Sequence, residues 1–153
     1  MSTQTTATEA FKAVFPQEGK PLVMMSEKIR IRLRGDDTGG AYSVIEDETP
    51  PQAGPPLHVH SREDETFYVL EGEYEVQIGD AIVRATPGTY LYAPREVPHS
   101  FRNISERAGR LLIVFSPPGF EHFFEEVDAL ASAGPPAFEE VVNLAASYGN
   151  RAL

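Results

Sequence analysis

The chain has 153 residues, and 13 lysines and arginines against 23 aspartates and glutamates give it a net charge of −10. That length suits one domain able to bury a core without staples, and 41% apolar with 24% charged residues fits neither a disordered chain nor a membrane-embedded one. With no cysteine present, disulfide scaffolds, zinc ribbons, iron–sulfur clusters and thiol nucleophiles are excluded together, and any metal must be held by histidine, carboxylate or carbonyl groups. The acidic balance also argues against nucleic acid as a partner.

The opening residues Met1-Ser2-Thr3-Gln4-Thr5-Thr6 hold no basic segment followed by an apolar run, and no apolar run reaches the ~20 residues of a spanning helix. A cytoplasmic location without a membrane partner is therefore the default expectation. Residues 1–9 are polar and expected to fray, within an N-terminal extension of residues 1–20. From 21 to 116, short apolar stretches alternate with Gly, Pro and Asp. The candidate strands are Val23–Leu33, Ala41–Glu46, Leu57–His60, Thr66–Glu71, Tyr74–Ile78, Ala81–Ala85, Thr89–Tyr92, His99–Asn103 and Arg110–Phe115. Many short strands separated by turn signals predict a sandwich or a closed barrel. Lys28, Arg30, Arg32 and Arg34 alternate with apolar residues and read as the wet face of a strand. Glu71-Gly72-Glu73 and Gly79-Asp80 are turn signals.

Ser116-Pro117-Pro118-Gly119 ends the strand-rich part. In the C-terminal segment 117–153, Phe120, Phe123, Phe124 and Val127 recur at helical spacing, as do Phe138, Val141, Val142, Ala145 and Tyr148. Gly134-Pro135-Pro136 separates these two helices and Gly149 ends the second. Both stripes read as packing faces rather than as a cofactor wall.

Three of the four histidines fall in two blocks. His58 and His60 are two apart on a predicted strand, so their imidazoles leave the same face. Four residues separate His60 from Glu65, enough for a tight reversal that lets Glu65 point back at the pair. His99 comes from a distant strand, and such strands meet across a closed β-structure. Three imidazoles and a carboxylate suit one divalent transition ion of Fe, Mn, Ni, Co, Cu or Zn, with room left for water or substrate. Taken singly, each signal has a plainer reading: an exposed His-x-His pair, a solvated turn at Glu63-Asp64-Glu65, and a buried hydrogen-bonded His99. His122 reads as a surface residue, and Asn103 as a structural hydrogen-bonder.

At these residues the sequence resembles the cupin superfamily. His58-x-His60-x4-Glu65-x6-Gly72 is similar to the first cupin motif, and Gly88-x5-Pro94-x-Glu96-x2-His99-x3-Asn103 to the second. Fifteen residues lie between Gly72 and Gly88. Two positions depart: the first motif's leading glycine would fall at Gln52, whereas this chain has Gly54, and Glu96 stands where the second motif usually has glycine. Gly39-Gly40-Ala41-Tyr42-Ser43, Asp64 to Gly72 and Ser116 to Glu121 resemble the single-domain, quercetinase-like subgroup. The resemblance implies an all-β cupin double-stranded β-helix, a jelly-roll barrel over residues 21–116, with two C-terminal α-helices. It implies a metal held by His58, His60, Glu65 and His99.

What the resemblance implies about activity is a dioxygenase. A small enolic, phenolic or flavonol-like substrate would react with O2, with cleavage of a C–C bond. Glu65 would be the base that takes the enol proton, and Phe67, Tyr90, Tyr92 and Phe101 are candidate substrate walls by strand parity. A metal-dependent isomerase, epimerase or lyase, and a non-enzymatic metal- or ligand-binding cupin, are the alternatives. No second acid–base pair stands out, which weighs against epimerase chemistry. Cupins of this size commonly pair, so a homodimer formed through the N-terminal extended segment is expected.

Overall fold

The computed structural model describes residues 11–153. Residues 1–9, expected to fray, lie outside them. The described chain folds as two antiparallel sheets with two helices against one end. The first sheet contains β1 (Leu22–Met24), β2 (Glu27–Leu33), β3 (Ser43–Thr49), β10 (Gly109–Ser116), β5 (Asp64–Glu71) and β8 (Tyr90–Ala93), in the order β1-β2-β3-β10-β5-β8. The second contains β4 (His58–His60), β6 (Tyr74–Ile78), β7 (Ala81–Ala85), β9 (His99–Asn103) and β11 (Asn150–Ala152), in the order β11-β4-β9-β6-β7. This is the jelly-roll architecture of two facing sheets, with α1 (Glu121–Ala131) and α2 (Phe138–Ser147) following the barrel strands.

Alternation decides which face of each strand enters the core. On β3 the inward residues Ser43, Ile45, Asp47 and Thr49 are buried, and on β10 so are Gly109, Leu111, Ile113 and Phe115. Tyr74, Val76 and Phe101 meet them from the opposite sheet. On α1 the stripe Phe123, Phe124 and Val127 is buried, and it packs with Phe120 into the same apolar cluster.

Three differences from the sequence reading concern how the sheets are tied together. The expected strand Val23–Leu33 is broken at Met25, where a positive φ of 55° turns the chain so that β1 pairs back on β2, Leu22 opposite Ile29. No Gly or Asn marks this turn, so local chemistry gave no sign of it. Asn150–Ala152, inside the expected helical segment, is a strand paired with β4. Three residues are too few for an alternation to be legible. The basic run Arg30–Arg34 is more than a wet face. Arg30 donates to the carbonyl of Gly19 at 2.6 Å and Arg32 to that of Glu18 at 2.8 Å, strapping the N-terminal segment to β2, while Arg34 makes a two-pronged bond of 2.8 Å each to Glu125 of α1.

Both departures from the motif glycines keep a glycine-like backbone. Gln52 and Glu96 each sit at φ 65°, in the left-handed region that L side chains avoid. Gly54 is required for a different reason, since a Cβ there would lie 1.9 Å from the carbonyl oxygen of Phe101. Only glycine lets the loop before β4 run against β9.

Candidate metal centre

His58 and His60 are both inward-facing on the short strand β4, which pairs with β9 so that His58 stands opposite His99. Glu65, on β5 of the other sheet, faces them across the barrel. The four side chains are buried, and one ligand atom from each lies within 4.8 Å of all the others. His60 Nε2 is 3.2 Å and His99 Nε2 2.8 Å from Glu65 Oε2.

The remaining ring nitrogens turn away from this point. His58 Nδ1 bonds the carbonyl of Pro56 at 2.7 Å and His99 Nδ1 that of Val97 at 3.1 Å. His60 Nδ1 faces Glu63 Oε2 at 3.4 Å, and neither atom has a hydrogen-bond partner among the described residues. Two imidazoles with Nδ1 hydrogen-bonded from behind, and a third with Nδ1 turned to a buried carboxylate, is the arrangement by which proteins fix metal-binding tautomers. Ligand atoms ~2.1 Å from one ion lie at most ~4.2 Å apart, so small side-chain rotations close this group on a divalent ion. The residues fit a metal.

Electrostatics agree. Burial, then the neighbouring His99, pushes His58 down to about 4 and leaves it a neutral donor. Burial also opposes charge on His60, but Glu65 and Glu63 outweigh it and push His60 up to about 9. Burial would raise Glu65, yet His60 and His99 overcome it and hold the carboxyl well below the usual range. In the absence of a cation, the cluster is a buried carboxylate neutralised by an imidazolium, a site arranged for positive charge.

A cavity of about 270 Å³ opens at His58, His60 and Glu65. Its walls are mostly apolar: Phe120, Phe123 and Phe124 come from α1 and the residue preceding it, Val141 from α2, Phe101 from β9, and Met24 from β1. The helical stripes read as packing thus also form a wall of this cavity, and Phe120 lies 4.6 Å from the His60 ring, centroid to centroid. Of the four wall residues expected by parity, Phe101 faces the cavity. Phe67 is buried behind the site, 5.7 Å from the ring of His99. Tyr90 and Tyr92 are corrected: they are 73% and 57% exposed on the outer face of β8. Tyr90 there packs on Tyr68 at 4.4 Å. The strand enters one residue later than expected, at Tyr90, and its register opposite β5 turns Leu91 and Ala93 inward instead.

Glu63 is the residue that sequence reasoning missed. It belongs to an acidic run that looked solvated, yet it is 4% exposed. Its spacing of three from His60 was the available signal. The absence of a second acid–base pair is also corrected: Glu27 and Asp47, both buried, line the same cavity. They lie on strands remote in sequence from both motifs. Asn103 is structural as expected, donating to the carbonyls of Thr49 and Arg107 at 2.9 and 2.8 Å. His122 is on the surface, 3.3 Å from Glu125.

Comparison with known proteins agrees with this geometry. The family model of the cupin domain matches residues 46–115. The chain is 30% identical over 107 residues to quercetin 2,3-dioxygenase of Bacillus subtilis (strain 168), a match covering 70% of this chain and 32% of that protein. It therefore spans about a third of that relative's length. Among solved structures, the polyketide cyclase RemF of Streptomyces resistomycificus aligns with a TM-score of 0.62 and 24% identity over 70% of this chain and 80% of its own. A predicted oxalate decarboxylase of Thermotoga maritima aligns with a TM-score of 0.63 and 21% identity over 69% and 99%. These two share the fold. The matched segment contains both histidine-bearing motifs and the surrounding strands take up the same two-sheet barrel: residues 46–115 match the cupin domain, and the described chain has the cupin fold.

Proposed function

We propose that this protein is a metal-dependent dioxygenase acting on a small enolic, phenolic or flavonol-like compound. One observation carries the reading: three imidazoles and a single carboxylate converge at the end of a cavity walled mainly by phenylalanine and aliphatic side chains, with Glu27 and Asp47 the other acids on it. When bound, a divalent transition ion supplies Lewis-acid attraction for an anionic substrate oxygen and electronic access to O2. With one carboxylate among the four ligands, a dication and its ligand set together carry +1, which favours an enolate over a neutral alcohol. Glu65 is the carboxylate placed to accept the enol proton on its oxygen, while Nδ1 bonding keeps His58 and His99 in their tautomers. The phenylalanines of the helical wall exclude water and stack on a planar ring. The cavity lies just below the ~300–1,000 Å³ of drug-sized sites, so a small planar compound suits it. The similarity to quercetin 2,3-dioxygenase supports the same reading.

The test is an oxygen-electrode screen of flavonols and β-diketones, on protein reconstituted with each candidate metal. O2 consumption that is lost in His99→Ala is expected. A second reading, a metal-assisted isomerase or lyase, is favoured by the buried acids Glu27 and Asp47 in the cavity. Turnover without oxygen would establish it and displace the dioxygenase. Tight binding without turnover would make the protein a ligand-binding cupin.

A further inference from the structure

Glu27 and Asp47 face inward from neighbouring strands, 8% and 2% exposed. Asp47 stands opposite Ile29 in the β2–β3 ladder, one inward position from Glu27, which brings the two carboxyls together. Among the described residues, no lysine or arginine lines the cavity they share with His58, His60 and Glu65. The Thr49 hydroxyl donates to Asp47 Oδ1 at 3.0 Å, and the Tyr74 hydroxyl donates to Thr49 Oγ1 at 3.1 Å, so a chain of O–H donors ends on Asp47. Two carboxylates in contact in a dry interior do not both stay ionised. Hydroxyl donation stabilises charge on Asp47, so the shared proton rests on Glu27. Burial and then the adjacent carboxylate raise Glu27 well above the usual range; burial raises Asp47 too, against the pull of Thr49.

The pair is set apart from the metal cluster along the sheet. Asp47 is level with Leu111 on β10, and Glu65 with Phe115. Two strands across and four residues along make about 16 Å between backbone positions, which the inward side chains shorten. A small ring compound at the cluster therefore presents its far edge to the acids.

We propose that Glu27, bearing the proton it shares with Asp47, is a substrate-binding acid that donates a hydrogen bond to a neutral oxygen at the substrate end remote from the His58–His60–Glu65–His99 cluster. The proposal rests on the reading that this cluster holds a metal and the substrate occupies this cavity. It adds a specificity rule: an anionic oxygen at the metal end, a neutral acceptor at the other. A second anion beside Asp47 would be buried with no cation to meet it. The titratable groups on the inner side with the pair are Tyr74 from β6, Glu65 from β5, and His58 and His60 from β4; Glu48, the neighbour of Asp47 on β3, is exposed on the outer face, and α1, α2 and β10 bring only apolar side chains to the cavity.

Two measurements test it. Infrared spectra of the metal-free protein at pH 7 should contain a protonated-carboxyl C=O band that is lost in Glu27→Gln; a wild-type spectrum without that band overturns the proposal. Calorimetry on the zinc-loaded protein then compares kojic acid, a hydroxypyranone with a neutral hydroxymethyl group at its far edge, with comenic acid, the same ring bearing a carboxylate there. Wild type should bind kojic acid about tenfold more tightly, Glu27→Leu should weaken kojic acid about 5- to 10-fold, and Glu27→Gln, which keeps a neutral donor, should restore it. As pH rises, wild type should lose kojic acid affinity relative to Glu27→Gln, a ratio in which the ligand's own titration cancels. Equal affinity for the two acids, or a ratio that stays flat with pH, overturns the proposal. Failure to bind zinc refutes the metal reading instead, and the infrared band then decides on the pair alone.

Discussion

Glu63→Gln isolates the group behind His60, because it removes a charge while keeping volume and burial. Glu63 Oε2 stands 3.4 Å from His60 Nδ1, with both side chains under 5% exposed. A full charge pair at that distance is worth about 5 kcal/mol at an effective dielectric near 20. An imidazole bound to a dication carries roughly a third to a half of a unit charge, so the loss is about 1.6–2.4 kcal/mol, or about 15- to 60-fold in metal dissociation constant. That is the range found for partners placed behind metal-bound histidines. The assay is competition between metal-free protein and a chromophoric zinc chelator, with thermal unfolding of the same samples as the control. The loss should be larger at pH 9.5 than at pH 7. At pH 7 wild-type His60, pushed up to about 9 partly by Glu63, must shed a proton to bind, and the variant is spared part of that competition. A folded Glu63→Gln protein that binds zinc within about twofold of wild type at both pH values would refute the argument.

Further outcomes follow from other sites. His58→Ala and His99→Ala should each strip the metal from purified protein, since either leaves three of four ligands; elemental analysis showing full occupancy in both would break the assignment. The raised carboxyls of Glu27 and Asp47 keep a proton that the unfolded chain has lost above about pH 4. Stability should therefore fall as pH rises from there, by about 1.4 kcal/mol for each pH unit over which that proton is retained, and denaturant titrations of Glu27→Gln should show a flatter profile. Gly54→Ala should cost about 3 kcal/mol or more, because its Cβ meets the Phe101 carbonyl at 1.9 Å and its φ is 151°. Gly39→Ala, with φ 64° and no atom within 4 Å of the added Cβ, should cost only about 1 kcal/mol by the same measurement. Glu96→Gly, at φ 65° on an exposed loop, should leave stability within about 1 kcal/mol of wild type or raise it.

The sequence by itself determined the barrel and the four candidate ligands. Strand alternation, turn glycines and the spacing His58-x-His60-x4-Glu65 are local chemistry, and local chemistry is written in neighbouring residues. His99 was legible because its motif carries its own glycine and proline punctuation. What surrounds the ligands depended on pairings between distant strands. Glu63 looked solvated until the fold buried it against His60, and Tyr90 and Tyr92 looked inward until the β5–β8 register faced them out. Glu27 and Asp47 are 20 residues apart and belong to neither motif; only the β2–β3 ladder brings them into one cavity. Register is set by long-range pairing and by turns such as the one at Met25, which holds neither Gly nor Asn. The candidate metal ligands could therefore be read along the chain, while the acid pair and the phenylalanine wall that shape the cavity existed only once the sheets and helices had closed around it.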